Sequence, residues 1–157
     1  MHTTIHLELG YEFTVKATTS EVLGVLADVP TSASFYPGVD QLVDLGNNAY
    51  RWEMEKIGLP HLTLQTVYAA RYNSNKTKGT VSWTPVPDEG NARVSGSWKV
   101  SPAKPGTHVL LAVQAELDLP LPAMMKPVLH PLVQAEFERL TEHYIDNLIE
   151  RFGGEVA

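Results

Sequence analysis

The sequence predicts an α+β domain: a seven-stranded antiparallel sheet curved around a long C-terminal helix, with two short helices between the first and second strands. Three observations carry this reading. Apolar and polar residues alternate strictly from Ile5 to Val15. Short strand-like runs separated by turn residues fill the chain from Val39 to Asp118. An apolar stripe at helical spacing then occupies the C-terminal part.

The first strand follows from Ile5, Leu7, Leu9, Tyr11, Phe13 and Val15, separated by His6, Glu8, Gly10, Glu12 and Thr14. Period two means one buried face, so Leu9, Tyr11 and Phe13 should face the core and Glu8 and Glu12 the solvent. Thr18 stands three residues before Glu21, a capping box that opens the helix "SEVLGVLADV", and Pro30 ends that helix. A second short helix is expected over Ser32 to Tyr36, before Pro37 and Gly38 turn the chain. "VDQLVDL" and "AYRWEMEKI" flank the hairpin signal Gly46-Asn47-Asn48. "HLTLQTVYAARY", "TVSWTPV", "NARVSGSWKV" and "HVLLAVQAELDL" supply the remaining strands. Leu129, Val133, Phe137, Leu140, Tyr144, Leu148 and Phe152 are spaced as one helix face. Prolines 120, 122, 127 and 131 should make the first third of that helix kinked or irregular, and the residues after Phe152 read as a frayed tail.

The bulk numbers bound the function. With 157 residues the chain reads as one domain, residues 1–157, able to bury a sizeable core. Its net charge of −6 argues against a nucleic-acid partner, which needs a basic face. The chain has no cysteine, hence no disulfide framework, thiol nucleophile or thiolate metal site. No run approaches the roughly 20 apolar residues of a membrane span. The start lacks a basic and apolar leader pattern, so the expectation is a soluble cytoplasmic domain.

The order of elements, with "ATTSEVLGVLADVPTSASFYPGV" just after the first strand, resembles the START-like (SRPBCC) superfamily. Its most specific part is "LADV" followed shortly by "YPGV", and the resemblance runs from about Thr3 to Phe152. The chain is similar to bacterial members labelled polyketide cyclase/dehydrase, and to the small accessory component of carbon monoxide dehydrogenase that belongs to the same superfamily. The resemblance implies a helix-grip fold with an elongated apolar cavity between sheet and helix. It supplies no shared catalytic motif.

The turns add a clue. In a meander successive turns alternate between the two ends of the sheet. One end receives the polar turns "LGNNA", "NSNKTKG" and "SPAKPGT"; the other receives "FYPGV", "KIGLPHL", "TPVPDEGN" and "DLPLPAMMKP". The second set carries Phe35, Tyr36, Ile57, Leu59, Leu121, Met124 and Met125. Apolar residues on turns either plug a core or rim an opening to a cavity. On the rim reading, Phe35, Tyr36, Leu59, Met124, Met125 and Leu129 are ligand-binding candidates. Trp52, Tyr68, Tyr72, Trp83 and Trp98 could present polar tips inside an apolar chamber.

Catalytic candidates are weak. None of the six histidines forms a metal-binding pattern, and no metal or other cofactor is expected. His130, between Leu129 and Pro131, could serve as acid or base if it faced the cavity, or could simply satisfy a freed carbonyl. His61 at the same end has the same two readings. The function expected is binding, or transport, of a hydrophobic small molecule such as a lipid, quinone-like or polyketide-like compound. Two alternatives stand beside it: a cyclase or dehydratase, and an assembly factor that docks a protein partner on the apolar end.

Overall fold

The computed structural model describes residues 3–59 and 62–156. The elements in chain order are β1 (Thr3–Val15), α1 (Thr19–Ala27), α2 (Val29–Ala33), β2 (Val39–Gly46), β3 (Ala49–Met54) and β4 (Ile57–Leu59). They continue with β5 (Leu62–Leu64), β6 (Val67–Asn75), β7 (Thr80–Pro85), β8 (Ala92–Pro102), β9 (Thr107–Leu119), a single 3-10 turn at Ala123–Met125, and α3 (Lys126–Arg151). Seven strands form one sheet in the order β1-β9-β8-β7-β6-β3-β2. This is the helix-grip architecture: a curved antiparallel sheet closed by α3, with α1 and α2 inserted between β1 and β2.

Strand alternation sets which face meets the helix. β1 pairs with β9 from Thr3↔Leu119 to Val15↔Thr107 without a slip. The odd-numbered residues Ile5, Leu7 and Phe13 are buried while Glu8 and Glu12 are exposed. Trp52 and Trp98 are buried on the same inner face, as the alternation predicts. A slip of one residue would have exchanged the two faces.

The connections differ from the sequence reading in three places. The second helix spans Val29–Ala33 rather than Ser32–Tyr36, because Asp28 caps it through Thr31 N–H and Pro30 sits in its first turn. Proline costs nothing there, since that N–H has no intrahelical partner. Thus Pro30 both stops α1 and starts α2. Second, "KIGLPHL" is not a plain turn: β4 and β5 form their own two-stranded ladder, Ile57↔Leu64 to Leu59↔Leu62. The β3–β6 hairpin ends at Glu53↔Val67, so the tip resumes pairing one residue out of step and bends away from the main sheet. Third, the C-terminal residues are not frayed. Gly153 and Gly154 take positive φ values of 85° and 106° and turn the chain back along β1. Lys16 N–H then donates to the Gly154 carbonyl at 3.1 Å, Ala17 N–H to Phe152 at 3.0 Å, and Val156 N–H to Thr14 at 2.9 Å.

α3 is continuous from Lys126 although Pro131 lies inside it and removes one helical hydrogen bond. Its buried face carries Leu129, Val133, Leu140, Tyr144 and Leu148. The helix also guards the open edge of β1. His130 Nε2 donates to the His6 carbonyl at 2.9 Å and Gln134 Nε2 to the Glu8 carbonyl at 3.2 Å. Four helical residues advance roughly 6 Å and two strand residues roughly 6.6 Å, so side chains four apart on a helix match carbonyls two apart on a strand. Unpaired edge carbonyls are thereby satisfied.

Three core clusters form among the described residues, the smallest made of Val29, Ala33, Trp52 and Met54. The largest surrounds Phe13, Val22, Leu26, Val81, Trp83, Trp98, Tyr144 and Phe152, between α1, the C-terminal half of α3 and the centre of the sheet. The second is wholly aliphatic in its buried members: Ile5, Leu7, Leu64, Ala92, Leu117, Leu119, Leu129 and Val133. It fills the pole where β4 and β5 fold over the start of α3.

Candidate functional site

An apolar, partly enclosed space lies between the sheet and α3. Its walls come from β1 and β9 (Leu7, Leu9, Val113, Ala115), from β3, β6, β7 and β8 (Trp52, Tyr68, Tyr72, Trp83, Trp98), and from the helices (Ser32, Phe137, Thr141, Tyr144). The volume open to the centre of a water-sized molecule is about 100 Å³. A single water needs roughly 10–15 Å³ on that measure, so the space exceeds a packing defect.

Rigid aromatic rings hold this space open. Trp52 and Tyr68 are direct partners in the β3–β6 ladder, and their rings stack 5.8 Å apart at 11°. Tyr72 and Trp83 are partners between β6 and β7, with centroids 5.7 Å apart. Tyr36 bridges to the helices, 6.1 Å from Trp52 and 5.0 Å from Tyr144. Cross-strand aromatic pairs of this kind resist collapse because each ring is fixed by its neighbour. Gly96 makes room for one of them. A Cβ at Gly96 would lie 2.6 Å from the Trp83 ring and 2.4 Å from the Ala112 carbonyl oxygen. A glycine inside a strand often marks such a close approach.

Few polar atoms reach the interior. Trp52 Nε1 donates to the Tyr72 hydroxyl at 2.9 Å. The Ser32 and Tyr144 hydroxyls are hydrogen-bonded, tying α2 to α3, and Tyr36 reaches Thr141 at 3.5 Å. Asn147 Nδ2 adds a bond to the Phe35 carbonyl at 2.9 Å. Burial pushes the phenol pKa of Tyr36, Tyr68, Tyr72 and Tyr144 upward in each case. Hydrogen bonds from Thr141, Trp52 and Ser32 oppose this at Tyr36, Tyr72 and Tyr144 without reversing it. These hydroxyls therefore remain protonated at neutral pH and can donate hydrogen bonds. Among the described residues, no Asp, Glu, His, Lys or Arg side chain lines the cavity.

The pole end of the cavity is tied by Asn91. Its Oδ1 accepts from Val67 N–H at 2.9 Å, its Nδ2 donates to the Gln65 carbonyl at 2.9 Å, and its carbonyl accepts from Asp118 N–H at 2.8 Å. The loop before β8, the start of β6 and the end of β9 are thus fixed together.

Of the residues singled out by sequence, Tyr36, Trp52, Tyr68, Trp83 and Trp98 stand in the cavity wall. Leu129 is fully buried in the aliphatic cluster, with Met125 packed beside it, and Met124 is 81% exposed. Phe35 packs against the larger core cluster, outside the wall. The Leu59 side chain and His61 lie outside the described residues. His130 is bonded to the edge of β1 and does not line the cavity. Ser32, Thr66, Phe137, Thr141 and Tyr144 belong to the wall although the sequence did not mark them as ligand-facing. Their only signal was position: Phe137 and Tyr144 sit on the apolar stripe, where core and cavity residues look alike.

The sequence from residue 6 to residue 145 matches the family model described as polyketide cyclase / dehydrase and lipid transport. The chain belongs to this family. Solved structures with the same fold include a protein of Thermus thermophilus, at 19% identity and a TM-score of 0.69, covering 92% of this chain and 96% of that one. The Zhui aromatase/cyclase of a Streptomyces species is similar at 13% identity and a TM-score of 0.66, covering 96% and 94%. A START superfamily protein of Mycobacterium smegmatis aligns at 15% identity and a TM-score of 0.61, covering 93% and 97%. At these identities the likeness shows the fold alone. No curated protein matches the sequence. Among the described residues, no helix is long and apolar enough to cross a membrane.

Proposed function

We propose that the protein binds a hydrophobic small molecule in the space between α3 and the sheet, as a carrier or sequestering protein. The observation that supports this most is the composition of the wall, which is aromatic and aliphatic with a few protonated hydroxyls. Apolar concave sites with sparse, placed polar groups are the usual form of small-molecule sites. Family membership fits the same reading, since the family description includes lipid transport. Lipid-like, quinone-like and polyketide-like compounds all meet these chemical demands.

A cyclase reading is favoured by the family description, which names polyketide cyclase / dehydrase, and by the structural likeness to an aromatase/cyclase. General acid–base catalysis works best with a group whose pKa lies near the operating pH. Among the described residues, the titratable groups of the wall are phenols held protonated by burial. Such phenols can polarise a carbonyl oxygen but leave proton abstraction to the substrate or to water.

Native mass spectrometry of the freshly purified protein, followed by extraction, tests the binding reading. A co-purified apolar compound is expected, and it should be lost in Val113→Phe, which adds bulk to the wall. A Val113→Phe protein that retains the same compound at the same occupancy would place the ligand elsewhere and overturn the proposal.

A further inference from the structure

The polar atoms of the cavity differ in one respect. The Tyr72, Tyr144 and Tyr36 hydroxyls each have a partner within the protein. Tyr68 has its ring stacked on Trp52, but its hydroxyl has no hydrogen-bond partner among the described residues. Every fully buried side-chain polar atom among the described residues is satisfied. The Tyr68 hydroxyl therefore keeps open surface, and the open space beside this residue is the cavity. Desolvation by the surrounding protein dominates its environment, so that surface is not bulk solvent. An O–H held in an apolar chamber with no acceptor from the protein can donate to an acceptor on a ligand.

The rest of the wall restricts what can bring that acceptor. No cationic side chain lines the cavity among the described residues, and the phenols are acids that stay neutral. A carboxylate or phosphate buried there would lie unpaired at a large desolvation cost. We infer that the ligand is an uncharged apolar molecule carrying a carbonyl or ether oxygen, and that Tyr68 donates the hydrogen bond that selects it. This rests on the binding reading above and narrows it: free fatty acids and other anions are excluded, while ketones, quinones and esters are admitted. Tyr68 acts as a specificity residue, since its stacking on Trp52 fixes where the oxygen must lie.

Three naphthalenes of similar shape separate the possibilities: 2-ethylnaphthalene, 2-acetylnaphthalene and 2-naphthoate, measured by equilibrium dialysis at pH 7 against the intact protein and Tyr68→Phe. The acetyl compound should bind roughly 2- to 10-fold more tightly than the ethyl compound, as one neutral hydrogen bond allows. That preference should vanish in Tyr68→Phe, whose fold is checked by its melting curve. Naphthoate should bind at least ~100-fold more weakly than the acetyl compound. Equal binding of the two neutral probes to the intact protein would overturn the role of Tyr68 while leaving the cavity reading standing. Naphthoate binding as well as the ketone would overturn the charge selection. Binding of none of the three would remove the cavity reading and this inference together. The comparison among probes in the intact protein decides the matter even if Tyr68→Phe does not fold.

Discussion

The two ends of the space under α3 are built from the same sheet and the same helix, yet one is hollow and the other solid. At the pole, Leu119, Leu129 and Val133 are completely buried against Ile5 and Leu64. In the middle, Trp52, Tyr68, Tyr72, Trp83 and Trp98 leave room between them. Branched aliphatic side chains choose rotamers that interdigitate, so they fill space to the density of a crystal. Large rings fixed by cross-strand stacking cannot rearrange to close the gap. Residue type, rather than backbone path, decides where the fold keeps a cavity.

Alkali should break the hollow half first, with the largest effect. The folded-state pKa values of Tyr36, Tyr68, Tyr72 and Tyr144 are raised above the ordinary phenol value of 10.0, chiefly by desolvation. Their contribution to stability is fully present below that ordinary value and is lost as pH climbs beyond it. Absorbance at 295 nm should show these phenols ionising together with unfolding rather than before it. Tyr11, pushed up to about 12 by burial and by Glu142 and Glu138, should follow a separate course at the surface. Stepwise titration of all tyrosines in a still-folded chain would contradict the buried aromatic wall.

Leu129→Ala attacks the solid half. Leu129 is fully buried, and truncation should cost about 2–5 kcal/mol in a chemical denaturation curve. Ligand affinity in the folded fraction should stay unchanged, because Leu129 is outside the wall. Gly96→Ala attacks the hollow half by overpacking, since its Cβ would collide with Trp83. A loss of about 1–3 kcal/mol is expected, together with a changed near-ultraviolet signal from Trp83 and weaker uptake. His130→Ala should have the smallest effect. It removes one hydrogen bond to the β1 edge, about 1 kcal/mol or less, and should leave binding unaltered.

Much of this contrast was legible in the sequence. Period two in β1 and the helical stripe in α3 fixed the inward faces of both, because a single buried side is imprinted on every second or every third and fourth residue. The same alternation brought Trp52, Tyr68, Trp83 and Trp98 to the wall. Less legible was the distinction between a plug and a rim among apolar turn residues. Ile57, Leu121 and Met125 pack on the aliphatic cluster and Phe35 on the larger one, whereas Met124 projects into solvent. Hydrophobicity is identical in both situations, and only the bent β4–β5 tip separates them. Ser32 and Thr141 escaped notice because an isolated hydroxyl on a helix carries no periodic signal. The role of Gly96 depended on its partner Trp83 across the ladder, a register that no single strand reveals. The tail after Phe152 was misread because paired glycines mark a flexible end as readily as a tight return.

The most direct test of the hollow-and-solid contrast is a crystal structure of the protein under xenon pressure. Xenon enters dry apolar cavities without needing a specific chemical partner. Density is predicted between Tyr68, Trp98, Val113 and Phe137, with none among Leu119, Leu129 and Val133. Xenon at the aliphatic pole, or no xenon beneath Trp52 and Tyr68 because side chains have collapsed into the space, would contradict the account.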